Sequence, residues 1–535
     1  MMMAPSSSTW SSSSAVVSRR TAVLSLSLVA VVVVLLASVL PARATKIPLK
    51  LVGAGELGQG ALSAVVDRPH RAQERGRVLR GQGGFHHRSR SGGSTTLYTI
   101  ADIAKDAVGS LAAASEGQKA DAVKAPPPPR PASRLVGSVE STGYYAMELP
   151  LGTPPQTFHV IVDTGSTIAY VPCSFCGDKC GLHASAPFAP QASSTASFIN
   201  CMSATCATFC GSRRCNCRSS FEFLRDISLP MMSVCSYARR YQEQSSSTGL
   251  LLTDVLRLGP GVGDHRFGFG CETEETGMIF NQRADGVIGF GNNPSSIINQ
   301  LVAQGAMENT FSICMGGFRG GGALFLGDES LPPTSGDQRM RYAQVHTRRE
   351  NPEFYAVSVR GMKLGSSKVN VPSRVYDHGY GAVVDTGTTF LYLPDAAYKS
   401  FEQLLLASMD KHWDKIRRTR SPDSRYPNDL CYGPLHHKTS GEGERDDLLD
   451  IFPDLTIDMA ASDPAVEKIT LTFPPENYLF KMSGGAHGYC VGVYNNRDDG
   501  VLLGAVLMKN YLVNFDLRNN RIGFAPHDCD ALNKE

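Results

Sequence analysis

Tryptophan is nearly missing from this 535-residue chain, with 2 residues in all. Against that stand 52 Gly and 31 Pro, a balance that favours short strands and many turns over long helices. An excess of charge of either sign is missing too, since 52 Lys and Arg offset 50 Asp and Glu to leave +2. Nothing in that balance recommends nucleic acid as a partner. No Asn-x-Ser/Thr sequon occurs, so N-glycosylation neither supports nor excludes secretion. Beyond one N-terminal stretch, no apolar run approaches the length that spans a bilayer. The glycine-rich "FGFG" (267–270) and "GGFRGGG" (316–322) lack the strand and helix context of a phosphate loop. His86-His87 and His436-His437 sit in polar, loop-like surroundings and read as solvated pairs.

Cysteine, by contrast, is abundant. Nine of the 14 fall between Cys173 and Cys235, and the even total points to disulfides formed in an oxidising compartment. Cys173-x-x-Cys176-x-x-x-Cys180 and Cys215-x-Cys217 also match zinc-ligand spacing, but the N-terminus favours the secretory reading. There Arg19-Arg20 precedes an uncharged stretch, Ala22–Leu40, and then Ala42-Arg43-Ala44. Residues 1–44 therefore read as a signal peptide cleaved after Ala44, or as an uncleaved signal anchor given the length of the apolar stretch. Either way the body lies beyond the membrane: secreted, in a vacuolar or lysosome-like compartment, or membrane-anchored on the lumenal or extracellular side. Residues 45–135 have a different texture, with seven Arg against two acids between Asp67 and Arg90 and then the proline run "KAPPPPRPAS". They read as a largely disordered linker or as a prosegment whose positive charge lies against an acidic cleft.

From about Val136 short alternating runs broken by Gly, Pro, Asn and Asp take over. "FHVIVDTG", "GLLLTDVLRLG", "GALFLGD" and "YLVNFDLRNNRIGFAP" are strand patterns, and 294–305 and 395–413 are the better helical ones. Within this β-rich body one segment is written twice. "VIVDTGSTIAYVP" (160–172) and "AVVDTGTTFLYLP" (382–394) match at seven of thirteen places, 222 positions apart. "DGVIG" ending at Gly289 and "DGVLLG" ending at Gly504 follow 126 and 119 residues after the respective Asp. Two related lobes follow, 136–330 and 331–529, with a tail at 530–535. The apolar-apolar-Gly strand is expected to pack against the Asp turn, its glycine permitting close approach.

A single Asp-Thr-Gly is as readily an Asx turn as a catalytic loop. Two of them meeting at a lobe interface differ, because adjacent carboxylates cannot both ionise cheaply and share one proton. The ionised one, Asp163 or Asp385, can then activate a water, while its protonated partner hydrogen-bonds a carbonyl oxygen. Gly165 and Gly387 would relieve crowding at the turns and expose N–H groups to the carboxylates. Ser166 and Thr388 would bond the outer carboxylate oxygens, and Thr164 and Thr386 would brace one loop against the other.

Taken together with "LGTPPQTF", "ADGVIGFG" and "LLGAVLMKNYLVNFDLRNNRIGFAP", these motifs resemble the pepsin-like aspartic peptidases, family A1, from about Tyr144 to Cys529. The cysteine-rich insert and "CSYARRYQEQSSSTG" resemble the plant and algal nepenthesin-type branch or its membrane-anchored relatives. The resemblance implies a mostly β, bilobal fold with the site in the cleft between lobes. It also implies a monomeric endopeptidase with an acidic optimum, a preference for bulky apolar residues in its polypeptide substrate, and no metal or other cofactor. It places Tyr241 as the flap tyrosine and Tyr170 as its support, where pepsin-type enzymes carry tryptophan. It suggests pairings Cys173–Cys176, Cys180–Cys271, Cys201–Cys235, Cys314–Cys529 and Cys431–Cys490, leaving Cys206, Cys210, Cys215 and Cys217 to pair among themselves. The flap departs from the family in lacking glycines after Tyr241, which predicts a stiffer or differently shaped tip. A binding or inhibitor protein on the same fold is the alternative; a paired-carboxylate glycosidase has only the two acids in its favour.

Overall fold

The structure, a computed structural model, describes residues 132–533 apart from 211–215, 220–232, 260–261, 328–333, 335, 422–427, 436–447 and 483–486. The expectations for residues 1–44, for the segment up to 131 and for His436-His437 lie outside the described residues. Within them the chain is mostly β: 28 strands and three α-helices, Ala204–Cys210, Ile297–Ala303 and Asp395–Met409. The last two fall inside the helical patterns read from sequence. Ser296 caps one by accepting the Asn299 N–H. The other buries Ala397, Phe401, Leu405 and Met409, a four-residue repeat that lays one face on the core. No helix among the described residues is long and apolar enough to cross a membrane.

The two halves of the chain share a six-stranded antiparallel platform. Its order is Ser133–Val136, Gly322–Leu326, Thr310–Met315, Tyr511–Asp516, Arg521–Pro526 and Arg341–His346. Three strands come from each half, and the order reads the same from either edge. The seam is the central pairing, where Phe311 sits opposite Phe515 with rings stacked at 4.5 Å. Tyr355 packs on both rings and donates from its hydroxyl to the Phe290 carbonyl at 2.8 Å. Each such aromatic, fully buried, contributes on the order of 2 kcal/mol to the seam.

Above the platform each half repeats one arrangement. Gln156–Asp163 runs parallel to Val287–Gly289, with Asp163 opposite Gly289, and Tyr170–Pro172 pairs antiparallel to the same short strand. Ala382–Val384 runs parallel to Val501–Leu503, and Leu391–Leu393 crosses it antiparallel. The glycines that end the short strands are there for room, as read from sequence. A Cβ on Gly289 would lie 2.5 Å from the Thr167 carbonyl carbon, and one on Gly504 would overlap the Phe390 carbonyl oxygen.

The disulfide framework corrects the expected one. Cys314–Cys529 and Cys431–Cys490 form as the resemblance implied. The insert pairs differently: Cys173 with Cys271, Cys176 with Cys180, Cys201 with Cys217 and Cys206 with Cys235. Parallel pairing sets Val171 against Cys271 and so brings the nearby Cys173 within reach of it, while Cys176 and Cys180 close on each other across the short helix Gly177–Cys180. With these thiols oxidised, the zinc reading of the cysteine spacing lapses.

Candidate active site

Both Asp turns are shaped by the strands that feed them. Asp163 ends an eight-residue strand whose last four residues are buried, and its carbonyl accepts the Phe290 N–H. Asp385 follows the buried Ala382–Val384, and its N–H donates to the Leu503 carbonyl. Because the two strands approach from opposite halves, the turns meet face to face.

Thr164 and Thr386 lock them together. The Thr164 hydroxyl donates to the Val384 carbonyl at 2.9 Å and accepts the Thr386 N–H at 3.0 Å. The Thr386 hydroxyl donates to the Val162 carbonyl at 2.8 Å and accepts the Thr164 N–H at 3.1 Å. Four reciprocal hydrogen bonds thus cross the interface, all between buried residues. The bracing read from sequence is present in full.

The glycines do more than was read from them. Each N–H donates to the carboxylate of its own loop, Gly165 to Asp163 at 2.8 Å and Gly387 to Asp385 at 3.0 Å. Neither has a positive φ, so the turn itself does not require glycine. The requirement comes from across the interface. A Cβ on Gly165 would lie 2.7 Å from Asp385 Oδ1, and one on Gly387 would overlap Asp163 Oδ1. Each loop must lack a side chain where the other loop's carboxylate lies.

The outer hydroxyls break the symmetry. Thr388 Oγ1 donates to Asp385 Oδ2 at 2.6 Å, as expected. Ser166 does not match it: its Oγ is buried without a partner at hydrogen-bond geometry, although it lies near enough to ease ionisation of Asp163. Asp163 is buried, with 7% exposure, and Asp385 is half-buried. Burial first, and the charge of Asp385 second, hold the Asp163 carboxyl well above the usual carboxylate range. This environment favours a proton on Asp163, while Asp385 receives two donors, the Gly387 N–H and the Thr388 hydroxyl.

Over the pair lies the hairpin Ser233–Arg240 and Ser246–Arg257, with Tyr241 at its turn. Tyr241 OH lies 2.9 Å from Tyr170 OH, bringing together the two tyrosines picked out by resemblance. Burial and the nearby Asp163 charge push the Tyr241 phenol up, so it stays a neutral donor. At the tip Gln244 takes φ 75°, a left-handed conformation uncommon outside Gly and Asn, and accepts a hydrogen bond from Arg240. Beneath the hairpin is a cleft of about 800 Å³. Asp163, Asp385 and Tyr241 line it, with Ile161 and Val287 from one half and Tyr392 from the other.

Two residues that sequence reading missed extend the tyrosine pair inward. Tyr237 stacks on Tyr170 and shares a 2.9 Å hydrogen bond with Ser247. The strand period offered a signal, because Tyr237 and Tyr241 lie four apart and share a face.

Two family profiles match the chain, described as Xylanase inhibitor N-terminal over residues 145–328 and Xylanase inhibitor C-terminal over residues 354–526. Among curated proteins, aspartic proteinase 39 of Arabidopsis thaliana is 29% identical over 412 residues, covering 74% of this chain and 76% of that one. Aspartic proteinase nepenthesin-1 of Nepenthes gracilis is 26% identical over 396 residues, covering 73% and 79%. Aspartic protease 5 of Toxoplasma gondii is 24% identical over 446 residues, covering 75% of this chain and 38% of that one.

Proposed function

The chain belongs to the pepsin-like aspartic peptidases, and from that premise we propose that it hydrolyses peptide bonds with a water activated between Asp163 and Asp385. One observation carries the reading: the two carboxylates are held face to face by four reciprocal threonine hydrogen bonds, with a glycine yielding space to each. Asp385 takes a proton from the water as that water attacks the carbonyl carbon. Asp163 gives its proton to the developing oxyanion; as the tetrahedral intermediate collapses, Asp385 passes the proton it took to the leaving amine and a hydroxyl of the intermediate returns one to Asp163. Tyr241 closes over an extended polypeptide, Tyr170 steadies it, and the apolar cleft walls receive bulky apolar side chains. Activity needs the pair to hold one proton; the acidic optimum rests on the resemblance to the family. The disulfides and the N-terminal apolar segment support a place in the secretory pathway, secreted, vacuolar or anchored, and the monomer rests on the resemblance to the family.

The second reading, a binding protein without activity, draws on the printed description of the matched profiles as xylanase inhibitors. The intact pair and its donors favour catalysis. Cleavage of an unfolded protein should be measured from pH 3 to 7 for the wild type, Asp163→Ala and Asp385→Ala, with a statine-type inhibitor as a separate arm. Wild-type activity that both variants lack supports the peptidase; a wild type no more active than the variants establishes the binding reading.

A further inference from the structure

Behind the flap lies a second cluster of ionisable groups that the reaction does not use: His183, Glu272 and Glu275. The glutamates sit three apart on the strand Asp264–Thr276, a spacing that would normally send them to opposite faces. A β-bulge prevents this. Glu272 lies opposite Gly249 and Glu274 opposite Thr248, so one residue is absorbed between them and both side chains reach the same side. Gly249 makes the bulge possible, since a Cβ there would overlap the Cys271 carbonyl oxygen. Two disulfides hold the frame: Glu272 follows Cys271, bonded to Cys173, and His183 follows three residues after Cys180, bonded to Cys176.

The side chains are buried and face one another without bonding. Glu272 has no exposed surface, and the His183 and Glu275 side chains are 5% and 3% exposed. His183 Nδ1 lies 2.7 Å from the Ala284 carbonyl, which can only accept, so Nδ1 carries a hydrogen and Nε2 is the ring nitrogen turned toward the glutamates. That Nε2, both Glu272 oxygens and Glu275 Oε2 are buried with no hydrogen-bond partner. A shared proton or an imidazolium–carboxylate bond would draw the groups to about 2.7–2.9 Å. Nε2 and Glu275 Oε2 stay 3.7 Å apart instead, and all three ligand atoms lie within 4.8 Å of one another. Ligands at about 2.1 Å around a tetrahedral cation are separated by about 3.4 Å, so the gap is cation-sized.

We propose that His183 Nε2, Glu272 and Glu275 bind a divalent transition cation of the zinc type beneath the flap. One imidazole nitrogen with two carboxylates suits zinc and its neighbours better than calcium, which prefers oxygen alone. The Ala284 carbonyl is the outer group that orients the imidazole. Two positive charges there would balance two buried carboxylates that otherwise face the His183 ring, 3.7 Å from Glu275. Ser247 stands opposite Glu275 in the strand register and shares a hydrogen bond with Tyr237, which stacks on Tyr170, so occupancy of the site bears on how firmly Tyr241 is seated.

The test uses the full chain, secreted from a eukaryotic host, stripped with EDTA and titrated calorimetrically at pH 7 with zinc chloride and, separately, calcium chloride. One zinc equivalent is expected, with affinity at least tenfold weaker in Glu272→Gln and Glu275→Gln and with calcium binding weaker still. Equal zinc binding by the wild type and both variants would assign the metal to surface histidines and overturn the proposal, as would no saturable binding or a preference for calcium. Should the variants not fold, zinc-edge X-ray absorption of the loaded wild type decides. One imidazole with oxygen ligands supports the site, and any other ligand set sinks it.

Discussion

Replacing Thr386 by Val tests the reciprocal lock most directly. Valine keeps the shape and volume of threonine, so packing at this buried position is unchanged and only the hydroxyl is lost. That hydroxyl serves two backbone groups of the other half, donating to the Val162 carbonyl and accepting the Thr164 N–H. Both become unpaired in a region without water. Each buried orphan costs about 1–3 kcal/mol, so for the two a loss of about 2–6 kcal/mol is expected. Thr164→Val should cost the same, because it strands the Val384 carbonyl and the Thr386 N–H in the mirror-image way. The bonds also fix the distance between the carboxylates, so kcat should fall about 10- to 100-fold with little change in KM. Urea unfolding with disulfides intact gives the first quantity. It is best followed by far-UV circular dichroism, because Trp413 is 76% exposed and reports poorly on the core. Turnover of a fluorogenic peptide gives the second. If both variants lose less than about 0.5 kcal/mol and keep kcat within twofold, the lock neither stabilises the interface nor aligns the pair.

Three further outcomes follow from the same geometry. Gly387→Ala drives a methyl group into Asp163, so kcat should drop at least about 100-fold while circular dichroism stays native; near-normal turnover would mean the loops part easily. For Asp163 the folded carboxyl is raised above its ordinary 3.8, so its contribution to stability is full below about pH 4 and is lost as pH rises toward and through neutrality. Asp163→Asn should therefore melt above the wild type at pH 7, with the gap closing toward pH 4, and a gap independent of pH would contradict the burial argument. Tyr241→Phe keeps the ring over the cleft but removes the bond to Tyr170, and kcat/KM should fall about fivefold, the worth of one hydrogen bond; no change would leave the hydroxyl without a role.

The twice-written segment made the site legible because both the strand and the turn obey local rules. An apolar run ending in Asp-Thr-Gly states its own geometry, and a second copy states its partner. Thr164 and Thr386 were readable for the same reason. What Gly165 and Gly387 do was not, since the obstacle each avoids, Asp385 and Asp163 respectively, belongs to the other half of the chain. Ser166 and Thr388 look equivalent in sequence, yet only Thr388 closes on its carboxylate. The cysteine pairings of the insert were misread because connectivity there depends on which strands run parallel, while Cys314–Cys529 and Cys431–Cys490 form as expected. The His183–Glu272–Glu275 cluster was invisible because it depends on a bulge that no periodicity announces.

The platform also sets when the molecule can become active. Thr310–Met315 finds its neighbour in Tyr511–Asp516, about two hundred residues further along the chain. A nascent chain released only as far as the first half presents Thr310–Met315 as a bare edge and holds one carboxylate of two. Neither the edge nor the carboxylate pair is completed until the last strands leave the ribosome. A peptidase assembled this way has no competent site to turn on its own unfinished chain.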